Sequence, residues 1–428
     1  MRASLALIWT ITAAATLLQG ANGLLQVLLP LRMQANGMSI TAVGLVAAGY
    51  GFGFAAGCFI APALIRHVGH IRAYASLAAL SAVVALTFTQ ADSVATWIGL
   101  RVISGVTLAG LFTVIDGWIS ARATAANRGR VISVYMICTK VALVLSPLGI
   151  GLGAITGEGL FMLVAAMMSL SLIPVSATVS EEPRAPTTVR LTVGSLFAAA
   201  PSAVVGAFAV GLMNGPVIAI TPVYGVRAGL APEAAAVLLL ALQAGSLLAQ
   251  WPLGWLSDHL DRRKVIAGLA AGTGLVSVAI LWATAQGNAV LLTAAFGMWG
   301  GLALCIYAVC VAHACDLVSS EEIVPTISSL LMCWAAGVTI GPLPAAWLMS
   351  AIGPEGLFLY SAAISFVLAA FVVVRIARKT RRAAGGGFVN VLATSPATAE
   401  LGDRSGLGGR AGAAGDETPL PNAGRAAP

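Results

Sequence analysis

"VISVYMICTKVALVLSPLG" at residues 131–149 and "TISSLLMCWAAGVTIGPLP" at 326–344 share one register. Ile132, Ser133, Cys138, Pro147 and Leu148 coincide with Ile327, Ser328, Cys333, Pro342 and Leu343 at a constant offset of 195. Five coincidences in one register mark an internal repeat, which changes the reading of everything around it. A second offset, 192, lays "PALIRHVGHIR" at 62–72 on "GWLSDHLDRRK" at 254–264, matching Leu64 with Leu256 and Arg72 with Lys264. The chain is therefore one unit used twice.

The composition says what that unit is made of. Of 428 residues, 59% are hydrophobic and only 9% charged, where a soluble domain carries roughly a quarter charged residues. Runs of about 20 apolar residues are long enough to cross a bilayer as helices. Twelve are expected, over 5–30, 41–65, 73–90, 96–119, 131–153, 159–178, 196–220, 234–256, 265–285, 288–312, 325–350 and 355–376. Strands are excluded because an open sheet edge finds no hydrogen-bond partners in lipid, and a barrel would need short alternating segments. The first run is too long for a signal-peptide core and lacks a cleavage site. The expected fold is an all-α membrane protein, with twelve transmembrane helices in two six-helix pseudo-symmetric halves related by an axis along the membrane normal. The halves fall at 1–179 and 196–376, joined by the cytoplasmic linker "SEEPRAPTTVRLTVGS" at 180–195. After them comes a tail, 377–428, basic at first and then so rich in Gly, Ala, Pro and Ser that it is expected to be disordered.

Charge sets the orientation. If both termini face the cytoplasm, nineteen of the 23 Lys and Arg lie on that side, only Arg32 and Arg227 lie opposite, and Arg101 and Lys140 fall inside helices. Positive residues gather on the cytoplasmic side of a membrane, so both termini are placed there, in a bacterial cytoplasmic membrane or an invagination of it. The net charge of +7 then reflects contact with anionic lipid headgroups, and no nucleic-acid partner is read from it. The six cysteines suggest no disulfide, and "HACD" at 313–316 lacks the paired spacing of a zinc site, so no metal and no cofactor are expected.

These features resemble the major facilitator superfamily over about 5–378. "GWLSDHLDRRK" is similar to that family's loop between the second and third helices of a repeat: Gly254, Leu256, Asp258, Arg262, Arg263 and Lys264 fit, while Asp261 replaces the usual glycine. The resemblance implies a gate loop in which Asp258 bridges to a neighbouring helix end and holds the halves together. In the first repeat Arg66 stands where the aspartate is expected and His70 where a basic residue is expected, so the first-half lock is expected to be absent or rebuilt. "RVISG" at 101–105 resembles a fourth-helix motif whose buried Arg is tied to proton coupling. "GVTIGP", with Gly337, Gly341 and Pro342, resembles the helix-bend motif of antiporters, and its fifth-helix counterpart "ALVLSP" keeps only Pro147. "NRGRVISVYMI", "AQWPLGWLSD" and "YAVCVAHACD" are most similar to the twelve-helix, drug-antiporter-like branch called YcaD-like and, more distantly, to magnetosome-membrane carriers.

Ionisable groups within a spanning helix cost several kcal/mol unless compensated, which makes Arg101, Asp116 and Lys140 candidates for proton coupling or for the cavity. Gln19, Asn22 and Gln26 recur at spacings of three and four, which puts them on one helical face. With Asn214 and Gln243 they are expected to line a central cavity for a polar or amphipathic small molecule. His313 and Asp316 close the tenth helix, either as a proton-labile pair or as a cap. Trp251, Trp299, Trp334 and Trp347 read as packing or interface anchors. No GxxxxGK[ST] loop and no catalytic triad is present, so ATP-driven pumping and enzymatic activity are not expected. The function expected is secondary transport, by proton-coupled efflux of a small organic solute. Uptake or transfer of a metal or iron species or a metabolite, and a transporter-like sensor or scaffold, are the alternatives.

Overall fold

The computed structural model describes residues 2–122, 128–176 and 192–378. Most of the expected linker (180–191) and nearly all of the tail (379–428) therefore lie outside the described residues.

Among the described residues every regular element is helical, and twelve helices are long and apolar enough to cross a membrane. The first half comprises α1 (Arg2–Ala35), α2 (Ile40–Val68), α3 (His70–Thr87), α4 (Val94–Arg122), α5 (Arg128–Leu145) and α6 (Gly159–Ser176). A short helix, α7 (Val193–Ala199), precedes the second half: α8 (Pro201–Arg227), α9 (Pro232–His259), α10 (Arg262–Ala285), α11 (Ala289–Cys315), α12 (Ile323–Ile340), α13 (Pro342–Ile352) and α14 (Gly356–Arg378). Alternate crossings bring the start of α1 and the end of α14 to one face, here the terminal face.

Three expected spans differ from the structure for a shared reason. The seventh begins at Pro201, not 196, because Ala200 leaves helical geometry (φ −133°, ψ 61°) and proline is well placed at the first helical position. The fifth ends as an α-helix at Leu145 and continues as a 3-10 turn, Ser146–Leu152, around Pro147. The eleventh is divided at Gly341, where Pro342 opens α13. A proline has no N–H to donate and crowds the preceding turn, so each of these breaks is dictated locally.

Side-chain caps fix some of the other ends. Ser39 Oγ accepts from Ala42 N at 3.2 Å to start α2, and Asn288 Oδ1 accepts from Val290 N and Leu291 N at 3.1 and 3.0 Å to start α11. Such caps satisfy amides that have no partner within the helix.

Within the first half α2 packs along α4, and α1 and α3 pack on α6; within the second, α9 packs along α11, α8 along α12, and α10 along α14. Glycines permit the closest of these approaches. A Cβ at Gly337 would meet Phe208 O and lie 2.8 Å from Gly211 Cα, so α8 and α12 touch through backbone. The halves meet where α2 runs against α12 and α13, where α1 meets α8, and where α5 and its 3-10 extension meet α9.

Candidate substrate cavity and gate loop

A cavity of ≈ 230 Å³ lies between the halves. Gln19, Asn22 and Gln26 line it from α1, Tyr50 and Phe54 from α2, Arg101 and Phe112 from α4, and Lys140 from α5. The second half contributes Asn214 from α8, Gln243 from α9, Tyr307 from α11, and Trp334 and Pro342 from α12 and α13. At about 1.5 Å per residue, Lys140 sits roughly 18 Å from the terminal-face end of α5, near mid-membrane, and Arg101 roughly 10 Å from the opposite end of α4.

Seven of the eight residues singled out for the cavity or for proton coupling line it: Gln19, Asn22, Gln26, Arg101, Lys140, Asn214 and Gln243. Asp116 is not among the lining; it is fully buried and accepts a hydrogen bond from Tyr135 Oη at 2.9 Å inside the first half. Arg101 is 6% exposed, its guanidinium carbon is 4.4 Å from the centre of the Tyr50 ring, and its Nη1 has no hydrogen-bond partner. Thr139, a neighbour available to Lys140, spends its hydroxyl on its own helix, donating to Tyr135 O at 2.8 Å. Among the described residues Lys140 makes no ion pair and no hydrogen bond.

The aromatic lining was not foreseen. Tyr50 and Phe54 (centroids 6.3 Å apart), Phe54 and Trp334 (6.2 Å, edge-on), and Trp334 and Tyr307 (6.2 Å) form a chain that crosses from one half to the other. Contacts of this geometry contribute about 0.5–1.5 kcal/mol each beyond area burial. Trp334 is thus both packing and cavity wall. A tyrosine within an apolar run was the available signal, since its hydroxyl needs a partner; Tyr307 Oη is buried without one.

The loop between α9 and α10 is an ion-pair junction on the terminal face. Arg262 Nη2 lies 3.3 Å from Asp258 Oδ1, and its Nε donates to Asp316 Oδ2 at 2.6 Å. Its Nη1 donates to Ser257 Oγ at 3.1 Å. These bonds tie the end of α9, the start of α10 and the end of α11, three elements of the second half. Asp316, expected beside His313, is thereby drawn into the loop; burial pushes its carboxyl up, and Arg262 acts the other way.

The departures from the repeat pattern have a local cause. Gly69, between α2 and α3, has φ 84°, a conformation that favours glycine. Its counterpart Asp261 has φ −58° and needs no such freedom. It caps α10 instead, accepting from Arg263 N at 3.0 Å and pairing with Arg263 Nη2 at 2.8 Å. The first repeat keeps the glycine and loses the acid; the second does the reverse.

Gly254, Lys264, Pro147, Gly337, Gly341 and His313 do not line the cavity. Gly337 and Gly341 seat α12 on α8, so the glycines of the bend motif act in packing within one half.

Two helical bundles with a cavity between them that carries amides and cations on a largely apolar wall describe a carrier. A sequence model of the Major Facilitator Superfamily matches residues 11–303 and 203–404, and the chain belongs to that family. It is 26% identical to the MFS-type transporter YcaD of Salmonella dublin over 355 residues, 82% of this chain and 91% of the relative. The YcaD of Escherichia fergusonii is 25% identical over 366 residues, 85% and 94% of the two chains. Among solved structures, the nucleoside transporter NupG superposes with a TM-score of 0.74 at 13% identity, covering 87% of this chain and all of that one. The D-xylose-proton symporter superposes at 0.65 and 15% identity, over 86% and 96%. A bacterial homologue of the human lysosomal transporter Spinster, inward-facing and occupied, superposes at 0.68 and 18%, over 87% and 96%. These likenesses establish the fold, and the chain is a multi-pass membrane transporter, not an enzyme.

Proposed function

We propose that this protein is a secondary active transporter that exports a small organic solute in exchange for protons by alternating access, with its terminal face in the cytoplasm. The observation that carries this reading is the cavity between the halves, which gathers five amides and two cations from both repeats at a depth lipid cannot solvate. Nineteen of 23 basic residues would then face the cytoplasm of a bacterial inner membrane. The Arg262 junction would stabilise the cytoplasmic end, and Arg101, Lys140 and Asp116 are the candidates for coupling.

The test uses full-length protein in liposomes with an internal pH dye and an imposed pH gradient, screened against pooled small metabolites. A solute-dependent proton flux is expected, and Lys140→Ala and Arg101→Ala should each abolish it without preventing insertion. Wild-type rates in both variants would defeat the cavity reading. Solute uptake along with protons would retain the carrier and reverse the direction.

A further inference from the structure

We propose that the substrate of this cavity is a small organic anion with an apolar body. The inference rests on the carrier reading above and deepens it by assigning the charge and shape of the ligand.

The lining contains Arg101 and Lys140 but no aspartate or glutamate. Asp116 is engaged elsewhere, with Tyr135. Among the described residues the face of Tyr50 is all that compensates Arg101, whose buried Nη1 has no acceptor, and nothing pairs with Lys140. A cation–π contact offsets less than an ion pair does, and a cation removed from water without an acceptor is costly. Arg101 is such a cation, and Lys140, half-buried in the same cavity, adds a second positive charge with no ion pair among the described residues; together they define a site completed by a negative ligand. A guanidinium offers a planar fork suited to carboxylate or phosphate, and an ammonium offers a point charge. A neutral sugar or nucleoside would leave both cations uncompensated. A cationic solute would add a third positive charge.

The rest of the lining sets the body. Tyr50, Phe54, Phe112 and Trp334 line the cavity with aromatic side chains, while Asn214 Oδ1 is buried without a donor. An apolar cavity of about 150 Å³ admits benzene; ≈ 230 Å³ admits a ring with a carboxylate or phosphate and one hydroxyl.

The experiment measures equilibrium binding to full-length protein in nanodiscs at low salt, using benzoate, salicylate and phenyl phosphate against neutral benzamide and cationic benzylamine. The anions are expected to bind about ten-fold or more tightly than benzamide, the scale of one charge-assisted hydrogen bond. Lys140→Gln and Arg101→Gln should each erode that preference, while Lys140→Arg should retain it, which a misfolded protein would not. Equal binding of benzamide or benzylamine, a preference surviving in the double variant, or no saturable binding of any anion would overturn the proposal. Flux across vesicles is then measured with the same probes. Charge-selective binding without flux would keep the anion and defeat the proposed proton-coupled efflux, whereas flux of neutral solutes without anion binding would do the opposite.

Discussion

Arg262 shows how much one side chain can hold. It is 7% exposed, and it engages Asp316 at 2.6 Å and Asp258 at 3.3 Å, whose side chains are 13% and 33% exposed. Removing one partner of a buried ion pair costs about 3–5 kcal/mol when the other is left alone. Because Asp258 remains beside the guanidinium, Asp316→Ala is expected to cost about 2 kcal/mol, read as a lowered Tm in detergent. Asp258→Ala, at the wetter and longer contact, should cost under about 1 kcal/mol; the reverse ranking would mean that the local pair is the stronger one. Asp261 adds a pH dependence. Its carboxyl is held below the ordinary carboxylate range by hydrogen bonds from Arg263. Its contribution is therefore complete above the unfolded pKa and is lost as pH falls through the lower, folded one. Asp261→Asn, which keeps the capping oxygen, should flatten thermal stability over that acidic window, and an unchanged acid profile would show that the cap has no part in it. Asp258 was legible because its motif is local. Asp316 was singled out beside His313, but its pairing with Arg262 was not legible, because the two lie 54 residues apart and only the packing of α10 on α11 joins them.

Helices legible as apolar runs proved easier to find than to end. The breaks at Ala200, Ser146 and Gly341 follow from prolines in plain view, yet a run of hydrophobic residues passes through each without a change in hydropathy. The glycines carry a finer distinction that hydropathy cannot show. Gly337 faces Gly211 inside the second half, whereas Gly51 faces Thr339 across the halves, with a Cβ placed 2.8 Å from Thr339 N. Adding bulk at the two sites should have different consequences. Gly337→Val wedges α8 from α12 and is expected to cost about 1–3 kcal/mol of stability, as overpacking does, with a matching fall in Tm. Gly51→Val instead pushes one half from the other and should lower Tm less while depopulating this conformation. Cross-linking a cysteine pair placed across the α2–α12 contact would report the change. Equal losses of Tm in both variants, with unchanged cross-linking, would place the two contacts in one cooperative unit.

The whole molecule sets a cationic cavity in an electric field. Arg101 and Lys140 could be read from the sequence as expensive charges; that they share one cavity could not, since it depends on α4 packing along α2 and α5 against α1 within the first half. Their joint presence bears on direction. A membrane with a negative interior contributes about 2.3 kcal/mol per charge at about 100 mV. For a monovalent anion this favours exit by roughly fifty-fold in concentration ratio. Exchanging that anion for an entering proton moves charge the same way in both half-steps, so the cycle is electrogenic. In proteoliposomes loaded with benzoate, an inside-negative potential set by potassium and valinomycin should accelerate efflux, and collapsing it should slow efflux even with the pH gradient kept. Efflux indifferent to potential would mean that anion and proton leave together as a neutral pair. That result would retain the anion site and replace exchange with cotransport, because two charges moving in the same direction as a pair cancel in the field and two moving in opposite directions do not.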